Sequence, residues 1–113
     1  MKIISIKENS DFKRLYYRGK SVVKKRIVIY YRKNRFNYNR LGITVSSKVG
    51  NAVIRNRIRR LIRENYRNLD INTPYDIVIV ARSAAAFSSF GEIGSDLKKA
   101  LMETELKKGW KMF

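Results

Sequence analysis

Apolar residues recur along this chain with two periods, and the switches between them predict its elements. Phe12, Leu15 and Tyr16 sit at helical spacing behind Asn9-Ser10-Asp11, which supplies capping residues, and Gly19 offers a stop, so a short first helix is predicted. Ser21–Tyr31 is rich in Val, Ile and Tyr and reads as one long strand. Lys24-Lys25-Arg26 interrupts it with charge that fits either a bulge or an exposed edge. Asn34–Asn39 is polar and Asn-rich, as a hairpin connection would be. In Arg40–Ser46 the alternation puts Leu41, Ile43 and Val45 on one face, and Gly42, Thr44 and Ser46 on the other. That second face is small and polar, suited to a close neighbour or a ligand. A turn at Lys48–Asn51 leads into a helix from about Ala52 to Arg67, with Asn51 or Gly50 near its cap, and Asn68–Thr73 is a loop. Behind Pro74, Tyr75–Ala81 is nearly continuous apolar, as in a strand covered on both faces. Ser89-x-x-Glu92 has the form of a capping box for a final helix running to about Lys108, with Phe90, Ile93, Leu97 and Leu101 as its buried stripe and Gly91 and Gly94 weakening its first turn. The expected order is helix, two strands, helix, strand, helix. No repeat or linker divides residues 1–113, which read as a single domain.

Composition sharpens this picture. A chain of 113 residues, 44% hydrophobic, can bury roughly two thirds of its unfolded surface. Yet 26 Lys and Arg stand against 9 Asp and Glu, a formal net charge of +17. Such a balance opposes compaction by self-repulsion and is relieved by a polyanion. Nucleic acid is the first candidate, an anionic membrane surface the second, and a merely solvated basic surface the plain alternative. The absence of cysteine excludes disulfide and thiolate chemistry, and the absence of histidine removes the commonest general base and metal ligand. No apolar run approaches the roughly 20 residues needed to cross a bilayer. Met1–Ser10 carries Ile3, Ile4 and Ile6 but no signal-peptide pattern, so a cytoplasmic protein without a membrane role is expected.

Lys48–Arg67 is the informative segment. On a helical wheel Ile54, Ile58, Leu61 and Ile62 form one stripe, while Asn56, Arg57, Arg59, Arg60, Arg63 and Arg67 spread over the opposite side and Arg55 lies at the border near Tyr66. A charged helix face is usually just solvated. Here, however, Arg55, Arg59 and Arg63 repel at i,i+4 spacing, and Glu64 is the lone acid. The cations are also almost all arginine, whose planar fork binds phosphate in bidentate fashion and stacks on bases. A membrane-surface helix would need its apolar face free, and the flanking strands need that face for a core.

The run Lys48-Val49-Gly50-Asn51-Ala52-Val53-Ile54-Arg55-Asn56-Arg57-Ile58-Arg59-Arg60-Leu61-Ile62-Arg63-Glu64 closely resembles the Arg-Asn-Arg signature of the bacterial ribonuclease P protein component. Asp11-Phe12-Lys13-Arg14 with Tyr16 and Gly19-Lys20-Ser21, Arg40–Ser46 and Asp76–Arg82 resemble that family's first helix and second and third strands. One departure is Ile3-Ile4-Ser5-Ile6, where many members carry a basic stretch.

The resemblance implies an α/β fold, an α+β sandwich of order α-β-β-α-β-α like ribosomal protein S5 domain 2, with a left-handed βαβ crossover that the general rule would not predict. It implies the accessory protein subunit of an endoribonuclease that matures the 5′ end of precursor tRNA, with the RNA subunit carrying the chemistry. No catalytic or metal-ligating protein residue is expected, and Mg²⁺ would lie on the RNA and at the RNA–protein interface. The implied partners are the catalytic RNA and precursor tRNA, with the isolated protein a monomer. The catalytic RNA would meet Lys48, Arg55, Asn56, Arg57, Arg59, Arg60, Arg63 and Arg67. The single-stranded 5′ leader would lie in a cleft with Phe12, Tyr16 and Tyr30, flanked by Lys24, Lys25 and Arg26. For Phe12 and Tyr16 core packing is an equal reading; Tyr30 is freer for function because Tyr31 can fill the opposite face of its strand. For the Lys24–Arg26 run, a solvated edge that discourages further strand pairing is as good a reading. Two other functions compete: a ribosomal or ribosome-assembly protein that binds structured RNA without processing it, and a free-standing nuclease, which the lack of a paired-carboxylate metal site opposes.

Overall fold

The structure, a computed structural model, describes residues 3–69, 71 and 73–106. Its elements are α1 (Asn9–Arg18), β1 (Lys20–Val23), β2 (Ile27–Lys33), β3 (Arg40–Thr44), α2 (Ala52–Leu69), β4 (Tyr75–Ala81), a single 3₁₀ turn at Ser83–Ala85, and α3 (Phe90–Met102). They build a mixed α/β fold around one four-stranded sheet of order β1-β2-β4-β3, antiparallel except for the β3–β4 pair.

The expected long strand is two strands. Lys24-Lys25-Arg26 is neither a bulge nor an edge but the turn between them: the Lys24 N–H reaches the Ile27 carbonyl at 2.8 Å, and Val23 comes to lie opposite Val28. Charge inside a β-branched run marked a reversal of the chain.

β4 is the centre of the sheet, and its composition explains why. Ile77, Val78 and Ile79 are fully buried, because alternate residues feed two separate cores. Ile77, Ile79 and Ala81 join Ile27, Ile29 and Tyr31 under α2 and α3. Val78 joins Leu15 and Ile6 on the other face, beneath α1. The parallel β3–β4 pair requires a crossover, and α2 supplies it.

α2 begins as predicted, with Asn51 Oδ1 accepting the Ile54 N–H at 3.0 Å, and it continues two residues past Arg67 to Leu69. Ile58, Leu61, Ile62, Tyr66 and Leu69 bury its inner side, and each aliphatic chain contributes about 1.5–3 kcal/mol of transfer free energy. α3 carries the full capping box, with Ser89 Oγ accepting from the Glu92 N–H and Glu92 Oε1 accepting from the Ser89 N–H. Its buried stripe is Ile93, Leu97, Ala100 and Leu101; Phe90, at the first position, is exposed. Gly94 is a packing requirement rather than a weakness, since a Cβ there would stand 2.4 Å from Asn65 Oδ1 on α2. The helix ends at Met102, beyond which Thr104 Oγ1 donates to the Leu101 carbonyl. The expected run to about Lys108 is therefore too long: residues 103–106 have already left the α-helix, and positions 107 and 108 lie outside the described residues.

α1 starts without a side-chain cap and stops at Gly19, whose N–H reaches the Leu15 carbonyl at 2.9 Å. Gly19 has an ordinary extended backbone; its need is for space, because a Cβ would meet that same carbonyl oxygen at 2.5 Å. Residues 4–6 run parallel along the outer edge of β3, with Leu41 N–H donating to the Ile4 carbonyl and Ile6 N–H to the Leu41 carbonyl, at 2.8 and 2.9 Å. The apolar residues in place of a basic arm thus cover a sheet edge.

Candidate nucleic-acid interface

The outward side of α2 is built in two tiers. Asn56, Arg60, Arg63 and Arg67 are exposed, as is Lys48 in the preceding turn. Arg57 and Arg59 flank them, half-buried and held by backbone oxygen: Arg57 Nη2 donates to the Ser88 carbonyl at 2.8 Å, and Arg59 Nη2 to the Val45 carbonyl at 3.4 Å, with Nη1 on Asn56 Oδ1 at 3.3 Å. Carbonyls orient a guanidinium while leaving its charge uncompensated. Arg55 is half-buried, and its Nε is buried without a hydrogen-bond partner among the described residues. No described carboxylate pairs with any arginine of α2. The inner side of the helix is locked in the core, which fixes the backbone from which this charge is displayed.

The aromatic residues gather on the other face of the sheet. The Tyr16 and Tyr30 rings meet edge to face at 5.0 Å, and the Tyr16 hydroxyl lies 2.9 Å from Thr44 Oγ1. Tyr31 faces the opposite way into the main core, as alternation requires. Tyr16 is 38% exposed, whereas Phe12 is half-buried against Gly42, where a Cβ would stand 2.6 Å from its ring. The small face of β3 therefore accommodates Phe12 of α1. Phe12 also borders a groove of about 250 Å³ rimmed by Arg59 and Arg63, so one concavity joins the arginine helix to α1.

Two basic residues expected beside this cleft are elsewhere. Arg26 turns to α3: its Nη1 and Nη2 reach Asp96 and Glu92 at 3.2 and 2.9 Å, and its own N–H donates to Asp96 Oδ2 at 2.9 Å. Lys24 pairs with Glu103 at the end of the same helix. The reason is strand parity: Lys24 follows Lys20 and Val22 on the side of the sheet that α3 covers. Both are fixed by the protein's own acids, away from the tyrosines. Lys25 is exposed and has no ion pair among the described residues.

A larger groove, about 480 Å³, escaped the sequence reading. It lies between α1 and the connection 34–39, lined by Arg14, Arg18, Arg32, Lys33 and Arg35. Arg40 anchors its wall, donating from Nε and Nη2 to Asp76 at 2.8 and 2.6 Å, with Nη1 3.4 Å from Asp11; the hydrogen bond to Asp76 is the main cause that holds its guanidinium above its ordinary pKa. The available signals were Arg14 and Arg18 one helical turn apart and the run Arg32-Lys33-x-Arg35.

Among the described residues no three Asp, Glu, His or Cys side chains converge on a point that could hold a metal ion. No described helix is long and apolar enough to cross a membrane.

A basic α/β domain that displays uncompensated arginines from a rigid helix belongs to the class of proteins shaped to meet a polyanion. Residues 2–105 match the family model described as Ribonuclease P. A ribonuclease P protein component of Thermoanaerobacter sp. (strain X514) is 42% identical over 110 residues, covering 96% of this chain and 95% of that one. Among solved structures, the RNase P protein of Staphylococcus aureus superposes with a TM-score of 0.82 at 37% identity, covering 93% of this chain and 98% of that one. That of Thermotoga maritima gives 0.80 at 31% identity, with coverage of 89% and 97%. The chain belongs to the ribonuclease P protein component family, the protein side of a tRNA-processing ribonucleoprotein.

Proposed function

We propose that this chain binds the catalytic RNA of ribonuclease P through the outward side of α2, and the 5′ leader of precursor tRNA through the surface around Tyr16 and Tyr30. It thereby promotes cleavage chemistry that the RNA performs. The observation that carries the reading is the row Arg60, Arg63 and Arg67, exposed and without a carboxylate partner among the described residues, on a helix whose inner side is locked in the core. Arg57 and Arg59, oriented by carbonyls, suit bidentate contact with phosphates. The tyrosine pair offers ring edges and faces on which unpaired bases stack, at about 1–3 kcal/mol per base. Lys25 remains available to leader phosphates; Lys24 and Arg26 have no part in this reading.

No protein group acts as acid, base or nucleophile here, and Mg²⁺ belongs to the RNA and its border with the protein, where it would stabilise charge on the reacting phosphate. Before assembly the protein is a cytoplasmic monomer. The test is reconstitution of the purified protein with a bacterial ribonuclease P RNA and a precursor tRNA at low Mg²⁺. Stimulated 5′ cleavage is expected. Tight RNA binding without stimulation would make the chain a binder of structured RNA with no processing role, and cleavage by the protein alone would demand an active site of its own.

A further inference from the structure

We infer that the groove between α1 and the connection 34–39 is a second RNA track, one that holds backbone phosphates rather than bases. The inference rests on the RNA-binding reading above but concerns a surface that reading does not use. α1 is a ridge with different chemistry on its two flanks. On one side Tyr16 meets Tyr30 and Thr44. On the other, Arg14, Leu15 and Arg18, spaced to share a helix face, look into the groove. Across it stand Arg32, Lys33 and Arg35.

The charge in this concavity is one-signed once its internal pairs are set aside. Asp76 is held by Arg40 and Asn34, and Asp11 by Arg40 and Arg14. Arg18, Arg32, Lys33 and Arg35 have no ion pair among the described residues. On a chain of net charge +17, cations dispersed over convex surface would signify little. Four of them converging on one concavity repel one another, and only an anion placed between them offsets that cost.

The wall is ordered in advance. Asn34 donates to the Tyr38 carbonyl and to Asp76 Oδ1, at 3.1 and 2.9 Å, while its Oδ1 accepts the Phe36 N–H at 2.9 Å. The Phe36 ring is already occupied: Tyr38 stacks on it at 5.2 Å and 16°, and the Arg40 guanidinium lies 4.7 Å from its centroid. It stiffens the groove instead of receiving a base. Guanidinium forks around such a space suit phosphodiester oxygens, read without regard to sequence.

The test is a triple variant, R18Q/R32Q/R35Q, in the full chain, beside R59Q/R63Q. Affinity is measured against salt concentration for two probes, a bacterial ribonuclease P RNA alone and a leader-bearing precursor tRNA on the assembled holoenzyme. For the probe whose backbone enters the groove, the triple variant lowers the magnitude of the log-log salt slope by about 2–3 and weakens binding about tenfold or more. The probe that responds identifies the source of the phosphates. A companion R18K/R32K/R35K variant keeps the charge and retains the slope. The parental slope on both probes in the glutamine variant overturns the inference. If R59Q/R63Q flattens the slope in that same experiment, only the groove fails; if neither variant does, the inference falls together with the RNA-binding reading.

Discussion

Arg26 and Asp96 meet twice, through the backbone N–H of Arg26 at 2.9 Å and through its Nη1 at 3.2 Å, with side chains only 16% and 8% exposed. This contact ties the β1–β2 turn to the middle of α3. Removing the carboxylate strands a guanidinium and an N–H together. Asp96→Ala should therefore cost about 2–4 kcal/mol, seen as a lower urea midpoint with an unchanged m-value. A midpoint equal to the parent's would show that water replaces Asp96 without loss.

The two sides of α2 should separate cleanly. Arg59→Gln with Arg63→Gln should lower the salt slope of RNA binding by about 1–2 and leave the unfolding free energy within about 0.5 kcal/mol of the parent. Leu61→Ala should do the reverse, costing about 2–4 kcal/mol with little change in slope where the protein remains folded. Titrations at several salt concentrations, alongside denaturation of each variant, check both.

Gly42 seats α1. Its replacement by alanine puts a Cβ 2.6 Å from the Phe12 ring and 3.2 Å from Val78 Cγ2, so the ring must move. A loss of about 1–3 kcal/mol is expected, together with weaker binding of a leader-bearing precursor tRNA by the reconstituted complex, because Tyr16 rides on the same helix. Unchanged precursor affinity in a folded variant would detach leader binding from the α1 surface.

Tyr66 gives the chain a dependence on alkaline pH. Burial pushes its phenol well above the ordinary value near 10, and its hydroxyl donates to Asn39 Oδ1 at 2.7 Å. The unfolded chain releases this proton near pH 10 while the folded chain keeps it. Stability from Tyr66 is thus fully present below about pH 10 and declines as pH rises above it. Tyr66→Phe should cost about 1 kcal/mol near pH 8, the loss of a neutral hydrogen bond, and the gap to the parent should narrow by pH 11. Urea curves at the two pH values decide it.

The sequence was most informative where period and capping agree. Ser89 with Glu92, Asn51 at the head of α2, and the doubly covered Tyr75–Ala81 strand were all legible, because each depends on residues close in the chain. The break within residues 21–31 was not, since a β-branched run gives the same signal straight or folded back until its pairing is known. The helix stripe separated Ile58 from Arg60, but it could not tell that Arg57 and Arg59 would be tethered to Ser88 and Val45, contacts made across the fold. The same limit placed Lys24 and Arg26 beside the tyrosines: chain proximity was legible, while the choice of sheet face followed from the turn. The groove next to α1 was missed because its two walls come from segments that look unremarkable apart.

The ion pairs of the described residues also divide the molecule electrically. Asp11, Asp76, Glu92, Asp96, Glu103 and Glu105 hold Arg14, Lys20, Lys24, Arg26 and Arg40, and none of those cations belongs to α2. Four of the acids lie on α3 or just beyond it, leaving that side close to neutral. In the field of a polyanion such a body experiences torque as well as attraction, and turns its α2 side forward while still several ångströms from contact. Alignment during approach widens the fraction of collisions that succeed, and it fades once salt shortens the Debye length below that separation.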